Sequence, residues 1–252
     1  MTAYHRSHPL GLLVVATVVA TLNAAPARVS TAPAGAQAVT PQANRAAHMQ
    51  VHFSQVMTVH EAVIRGDLAA VRAPATWLAG HEGPSSLPTG SAPFVAQMQR
   101  AARRTAQAST VLEAALGTAD MLKTCGDCHR GVGTMPAATL SPSPAVGGIV
   151  GHMLAHQRSA DQMLQGLIVP SSALWRTGAD GFSGAPLRAE KLPEDPRLTP
   201  ELAASERRIH ELAAQAGKTD DEGARAVFYG QMIARCADCH ALHRKVWGPS
   251  RR

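Results

Sequence analysis

The chain has 252 residues and a formal net charge of +6; 45% of its residues are hydrophobic and only 4% are aromatic. That length holds one large or two small domains. No groove-sized pattern of basic and aromatic residues is present, so nucleic acid is not an expected partner. No segment beyond the N-terminal one is apolar for long enough to span a bilayer.

In chain order, His5, Arg6 and His8 precede the apolar run from Leu10 to Leu22, and Ala25-Pro26-Ala27 forms a small-residue cleavage site. This is the layout of a secretory signal peptide over 1–27, too short for a comfortable span. The expectation is an exported, periplasmic protein that loses this segment. An uncleaved N-terminal anchor is the competing reading. Residues 28–44 are rich in Ala, Pro, Thr and Gln and carry little apolar bulk, which predicts a disordered leader.

A first unit is predicted over 45–135. Its first helix runs over about 46–65, and Gly66 ends it. Asp67 caps a second helix reaching about 79. A Gly/Pro/Ser-rich loop leads to a third helix over about 93–107. Thr110 with Glu113 has the form of a capping box that starts the fourth helix, which runs into Cys125-Gly126-Asp127-Cys128-His129. A Gly/Pro/Ser linker, 136–145, separates this unit from a second one.

The second unit, 146–246, repeats the landmarks in order. His152-Met153-Leu154-Ala155-His156 answers His48-Met49-Gln50-Val51-His52, and Trp175 answers Trp77. Thr219 to Glu222 answers Thr110 to Glu113, and Cys236-Ala237-Asp238-Cys239-His240 closes the unit. Its predicted helices are about 148–168, a short one around Trp175, one capped by Thr199 with Pro200 at the first position, and one starting after Thr219. A loop covers about 178–198. The tail 247–252 ends a basic stretch suited to an acidic partner or an anionic membrane surface, or simply solvated. The fold class is therefore all-α, with short connections favouring two tandem four-helix bundles.

The two Cys-x-x-Cys-His runs use all four cysteines. That pentapeptide is the attachment signature of c-type haem: two thiols form thioethers, and the next His reaches the iron. A zinc Cys₄ site needs closer pairs, a thioredoxin-like dithiol needs a βαβ setting, and plain disulfides do not call for the histidines. The expectation is two covalent haem c groups, one per unit, on Cys125, Cys128 and His129 and on Cys236, Cys239 and His240. Each haem also supplies the apolar bulk that so few aromatics leave missing.

The sixth ligand is sought on the first helix of each unit. Its apolar stripe is Met49, His52, Val56, Val59 and Val63 in one unit and Met153, His156, Ala160, Met163 and Leu167 in the other, alternating by 3 and 4 as a core-facing helix does. A core-facing imidazole needs a partner: iron, a propionate or a carbonyl. Met49 and Met153 are the rival ligands, with ordinary core packing as the alternative for them. His48 and His152, off the stripe centre, rank lower. His60 has no counterpart in the repeat, where Leu164 occupies the position, and reads as packing or surface. Trp77 and Trp175 read as packing residues.

A four-helix unit with Cys-x-x-Cys-His near the end of its last helix resembles the class II c-type cytochromes, the cytochrome c′ and cytochrome c556 group. The resemblance implies His129 and His240 as proximal ligands and places His52 and His156 where a distal ligand comes from. It also implies either a filled sixth site and electron transfer, or an open one that binds gas. The leading expectation is a dihaem electron carrier, not an enzyme, serving redox proteins or a membrane electron-transfer complex. A cytochrome c′-like protein binding NO or CO is the alternative. A dihaem enzyme such as a peroxidase is the third, disfavoured by the near-equivalence of the units.

Overall fold

A computed structural model describes residues 40–81, 83, 87–138, 140, 146–183 and 200–247. The expected signal peptide, residues 28–39 of the leader, most of the linker, Thr199 and the tail from 248 lie outside them. Among the described residues there are eight α-helices and no strand: α1 Pro41–Ile64, α2 Leu68–Gly80, α3 Ala92–Ala106, α4 Val111–Gly131, α5 Gly148–Ile168, α6 Ser172–Ser183, α7 Pro200–Ala216 and α8 Glu222–Trp247.

The helix ends follow from local chemistry. Thr40 accepts a hydrogen bond from the Ala43 amide with Pro41 in the first turn, so α1 begins earlier than composition suggested and absorbs 41–44 of the expected leader. Gly66 takes φ +70° and turns the chain after α1. Asp67 accepts from the Ala70 amide to start α2. Thr110 accepts from the Glu113 amide, while the Glu113 carboxylate reaches back to the Ser109 amide and hydroxyl, one residue before the cap. In the repeat, Asp221 accepts from the Ala224 amide. Asp221, not Thr219, is thus the cap of α8, and it stands as far before Cys236 as Thr110 stands before Cys125. Of the expected 178–198 loop, 178–183 belong to α6, and 184–198 lie outside the described residues.

The packing repeats. α1 lies against α2 and α4, α2 against α3, and α3 against α4; α5 lies against α6 and α8, α6 against α7, and α7 against α8. The two sets meet through α4 and α8, with α4 also touching α5 and α8 touching α1. Gly230 of α8 sits against the backbone of Ala115 and Leu116 of α4. One apolar cluster runs through both sets, including Val59, Leu78, Met121 and Leu122 with Met163, Trp175, Leu212 and Ile233. Trp175 is fully buried, and its indole N–H donates to the Ala216 carbonyl, so its role is to tie α6 to the end of α7.

His60 bridges the two sets. It is buried, its Nε2 is hydrogen-bonded to the Tyr229 hydroxyl at 2.8 Å, and the rings stack. Burial pushes its pKa down to about 4. The unfolded chain takes up a proton near pH 6.5 that the folded site refuses. Stability is therefore complete above pH 6.5 and is lost as the pH falls toward 4, by about 3 kcal/mol from this group. Urea midpoints of the wild type should drop over that window, and those of His60→Leu, which copies Leu164 of the repeat, should drop distinctly less; parallel curves would refute the assignment.

Candidate haem and histidine sites

Cys125 and Cys128 lie one turn apart near the end of α4, and Cys236 and Cys239 lie likewise on α8. The i, i+3 spacing puts each pair on one helix face. Burial pushes the Cys125 and Cys236 thiols up to about 12 and raises those of Cys128 and Cys239 as well. Redox dithiols need the opposite shift. Cys239 also donates to the Ser205 hydroxyl at 3.1 Å.

The histidine that ends each motif is held by its Nδ1. His129 Nδ1 is 2.9 Å from the Ile168 carbonyl oxygen, and His240 Nδ1 is 3.1 Å from that of Ile64. A carbonyl oxygen only accepts, so Nδ1 carries the proton in each bond. The neutral ring then has its lone pair on Nε2, the tautomer a metal ligand requires. Both acceptors are the last residues of α5 and α1, so each motif is braced by the opposite half of the chain.

In the first half, α1 and the end of α2 bring together His48, His52 and His81. Their donor nitrogens all lie within 4.8 Å of one another. Trp77 stacks on His81 with ring centroids 3.9 Å apart. The Nε2 atoms of His48 and His52 are buried and make no hydrogen bond. Burial, with the neighbouring His48 and His81, lowers the His52 pKa to about 4, so its nitrogen stays a donor of electrons at neutral pH.

The second half assembles His152, His156, Glu206 and His210, again with donor atoms within 4.8 Å. Glu206 accepts from His152 Nε2 at 2.5 Å and from His210 Nε2 at 3.1 Å, and its Oε1 is 3.5 Å from His156 Nε2. Burial works to raise the Glu206 pKa, but the bonds from His152 and His210 and the nearness of His156 outweigh it and hold it at about 2. For His156, burial outweighs the attraction of Glu206 and lowers its pKa to about 4. Its Nε2 and His152 Nδ1 are buried without a hydrogen bond. Imidazoles with one carboxylate suit first-row transition-metal ions.

The structure therefore brings His52 and His156 to equivalent inward positions, each with a buried Nε2 lacking a hydrogen bond. It does not do so for Met49 and Met153, which are 37% and 40% exposed. The apolar stripe fails at its first member because Met49 and Met153 lie on the outward side of α1 and α5; Val51, Phe53, Ile149 and Val150 are exposed there too. His152, ranked lower from the stripe, is buried. Sequence reasoning missed His81, Glu206 and His210. Glu206 and His210 are one turn apart on α7, the only local signal, and the repeat hides them: counted from the cysteine motifs, the same places in the first half hold Val95 and Gln99.

No protein-family model, curated protein or solved structure matches the chain. Among the described residues no helix is long and apolar enough to cross a membrane.

Glu206→Leu removes the acceptor for two ring N–H groups, one of them on the buried His152. The expected loss is about 1–3 kcal/mol in urea unfolding. An unchanged midpoint would mean that the carboxylate does not organise the cluster.

Proposed function

We propose that the chain is an exported, periplasmic dihaem c-type cytochrome that carries electrons between redox partners, built from two tandem four-helix haem units. One observation carries the reading: at two repeated positions a Cys-x-x-Cys pair ends in a histidine whose Nδ1 is tied to a carbonyl, while a buried imidazole nitrogen without a hydrogen bond lies on the first helix of the same unit. Cys125 and Cys128, and Cys236 and Cys239, would anchor the two haems. His129 and His240 would be proximal ligands through Nε2, and His52 and His156 distal ones. Met49 and Met153 fit less well, since their side chains face outward. Haem iron bound there supplies a one-electron centre. The protein contributes fixed imidazoles on both faces, buried positions that exclude water, and a basic C-terminal stretch suited to an acidic redox partner.

A second reading is favoured by the inequality of the distal sides. Glu206 and His210 give the second half an ionised carboxylate and a further imidazole where the first half has Val95 and Gln99. Such groups can hold a small ligand or exchange protons, which suits gas binding or a chemical step at that half alone.

Purified protein should show two haems per chain, both low-spin by optical and EPR spectroscopy and inert to CO when reduced. Cys125→Ser/Cys128→Ser should leave one haem. His52→Ala should convert one haem to a high-spin, CO-binding form. Two low-spin haems in that variant would assign the distal ligand elsewhere. A CO-reactive haem in the wild type, lost as a distinct species on altering Glu206, would select the second reading, and a chain without haem would end both.

A further inference from the structure

From the paired proximal hydrogen bonds we infer that each half of the chain tunes the haem of the other, with the carbonyls of Ile64 and Ile168 as positioning groups for the opposite proximal histidine. The inference rests on the haem reading above and adds to it a coupling between the two sites.

The geometry is reciprocal. Ile64 lies twelve residues after His52, and Ile168 twelve after His156. Thus α1 and α5 each carry a distal candidate for their own half along their length and, at the C-terminal end, the acceptor for the other half's His240 or His129. The last carbonyls of a helix have no partner inside it. At the end of α1 the Glu61, Ala62 and Val63 carbonyls are taken by the amides of Arg65, Asp67 and Gly66, and the Ile64 carbonyl takes the His240 ring. At the end of α5, Gln165 and Gly166 accept from Val169 and Ser171, and the Ile168 carbonyl takes the His129 ring. These acceptors also sit at the negative pole of a helix. A strong acceptor on Nδ1–H makes Nε2 a better donor, which favours the more positive, oxidised iron and lowers the reduction potential.

The contact is built by small residues. A Cβ on Gly126, the first residue between Cys125 and Cys128, would lie deep inside contact distance of the Leu167 carbonyl oxygen. Only glycine lets α4 approach the end of α5 closely enough for His129 to reach Ile168. The second motif has Ala237 at that place, and the residue facing it is Gly66, in its left-handed turn. Each junction has one glycine, on opposite partners.

Gly126→Ala tests this in the full-length, haem-loaded protein. Alanine already stands at this place in the second motif, so haem attachment tolerates it. The added methyl must push α4 from α5 and stretch the 2.9 Å bond. The expected result is two attached haems, one midpoint potential raised and the other unchanged. Unchanged potentials, or an equal shift of both, would overturn the inference. Should the variant fail to fold, the wild type labelled with ¹⁵N-histidine and reduced gives a second readout: two ring N–H protons protected from exchange support it, and exchange at the solvent rate overturns it. Absence of haem from the wild type would show in the first optical spectrum and would end the underlying reading as well.

Discussion

The close contact of α4 with α8 is the constraint on which the rest of the structure depends. These two helices carry the cysteine motifs, and they are also the ones that join the two halves. Because α4 reaches α5 and α8 reaches α1, the end of each motif-bearing helix falls beside the C-terminus of the opposite half's first helix. Small residues make this possible: Ala115 and Gly230 along the helices, Gly126 and Gly66 at the two junctions. A Cβ at Gly126 or Gly230 would press on the backbone of the facing helix, and Gly66 is needed for its left-handed turn.

That contact explains why the histidines of the cysteine motifs and the histidine clusters of α1 and α5 are organised so differently. His129 and His240 are braced by backbone carbonyls across the junction, acceptors that do not depend on the side chains of Ile64 and Ile168. The clusters depend on side chains within one half, and there the repeats have diverged. The first half has an aromatic wall, Trp77 on His81 beside His52; the second has a carboxylate that gathers three imidazoles. In the proposed reading the two haems share a proximal environment and differ on the distal side. That difference is the means by which one chain could hold two centres of unlike potential or reactivity.

Much of this was legible in the residues. The Gly66 turn, the Asp67 and Thr110 caps and the spacing of Val56, Val59 and Val63 placed the first-half helices, since each is a local effect within a few residues. The cysteine motifs and the inward histidines of α1 and α5 were legible for the same reason, being short patterns repeated in order. Errors arose where local pattern was ambiguous. Met49 and Met153 continue an apolar stripe, but their side chains lie on the outward side of their helices. Thr219 imitates Thr110, but Asp221, two residues later, has the correct distance to Cys236 and takes the cap. Glu206 and His210 were missed because nothing in the first half corresponds to them.

Sequence alone determined the all-helical class, the duplication and the Cys-x-x-Cys-His pairs, because caps, periodicity and motif spacing act over a few residues of chain. Tertiary structure decided which helix ends meet. The partners of His129 and His240 lie 39 and 176 residues away, and no local pattern encodes a hydrogen bond from a ring nitrogen to the orphan carbonyl of a distant helix end. The same is true of Glu206 and of the His60–Tyr229 bridge. The His129, His240 and His60 contacts exist because the packing of the two halves brings those surfaces together; the Glu206 cluster exists because side chains of α5 and α7 meet within the second half.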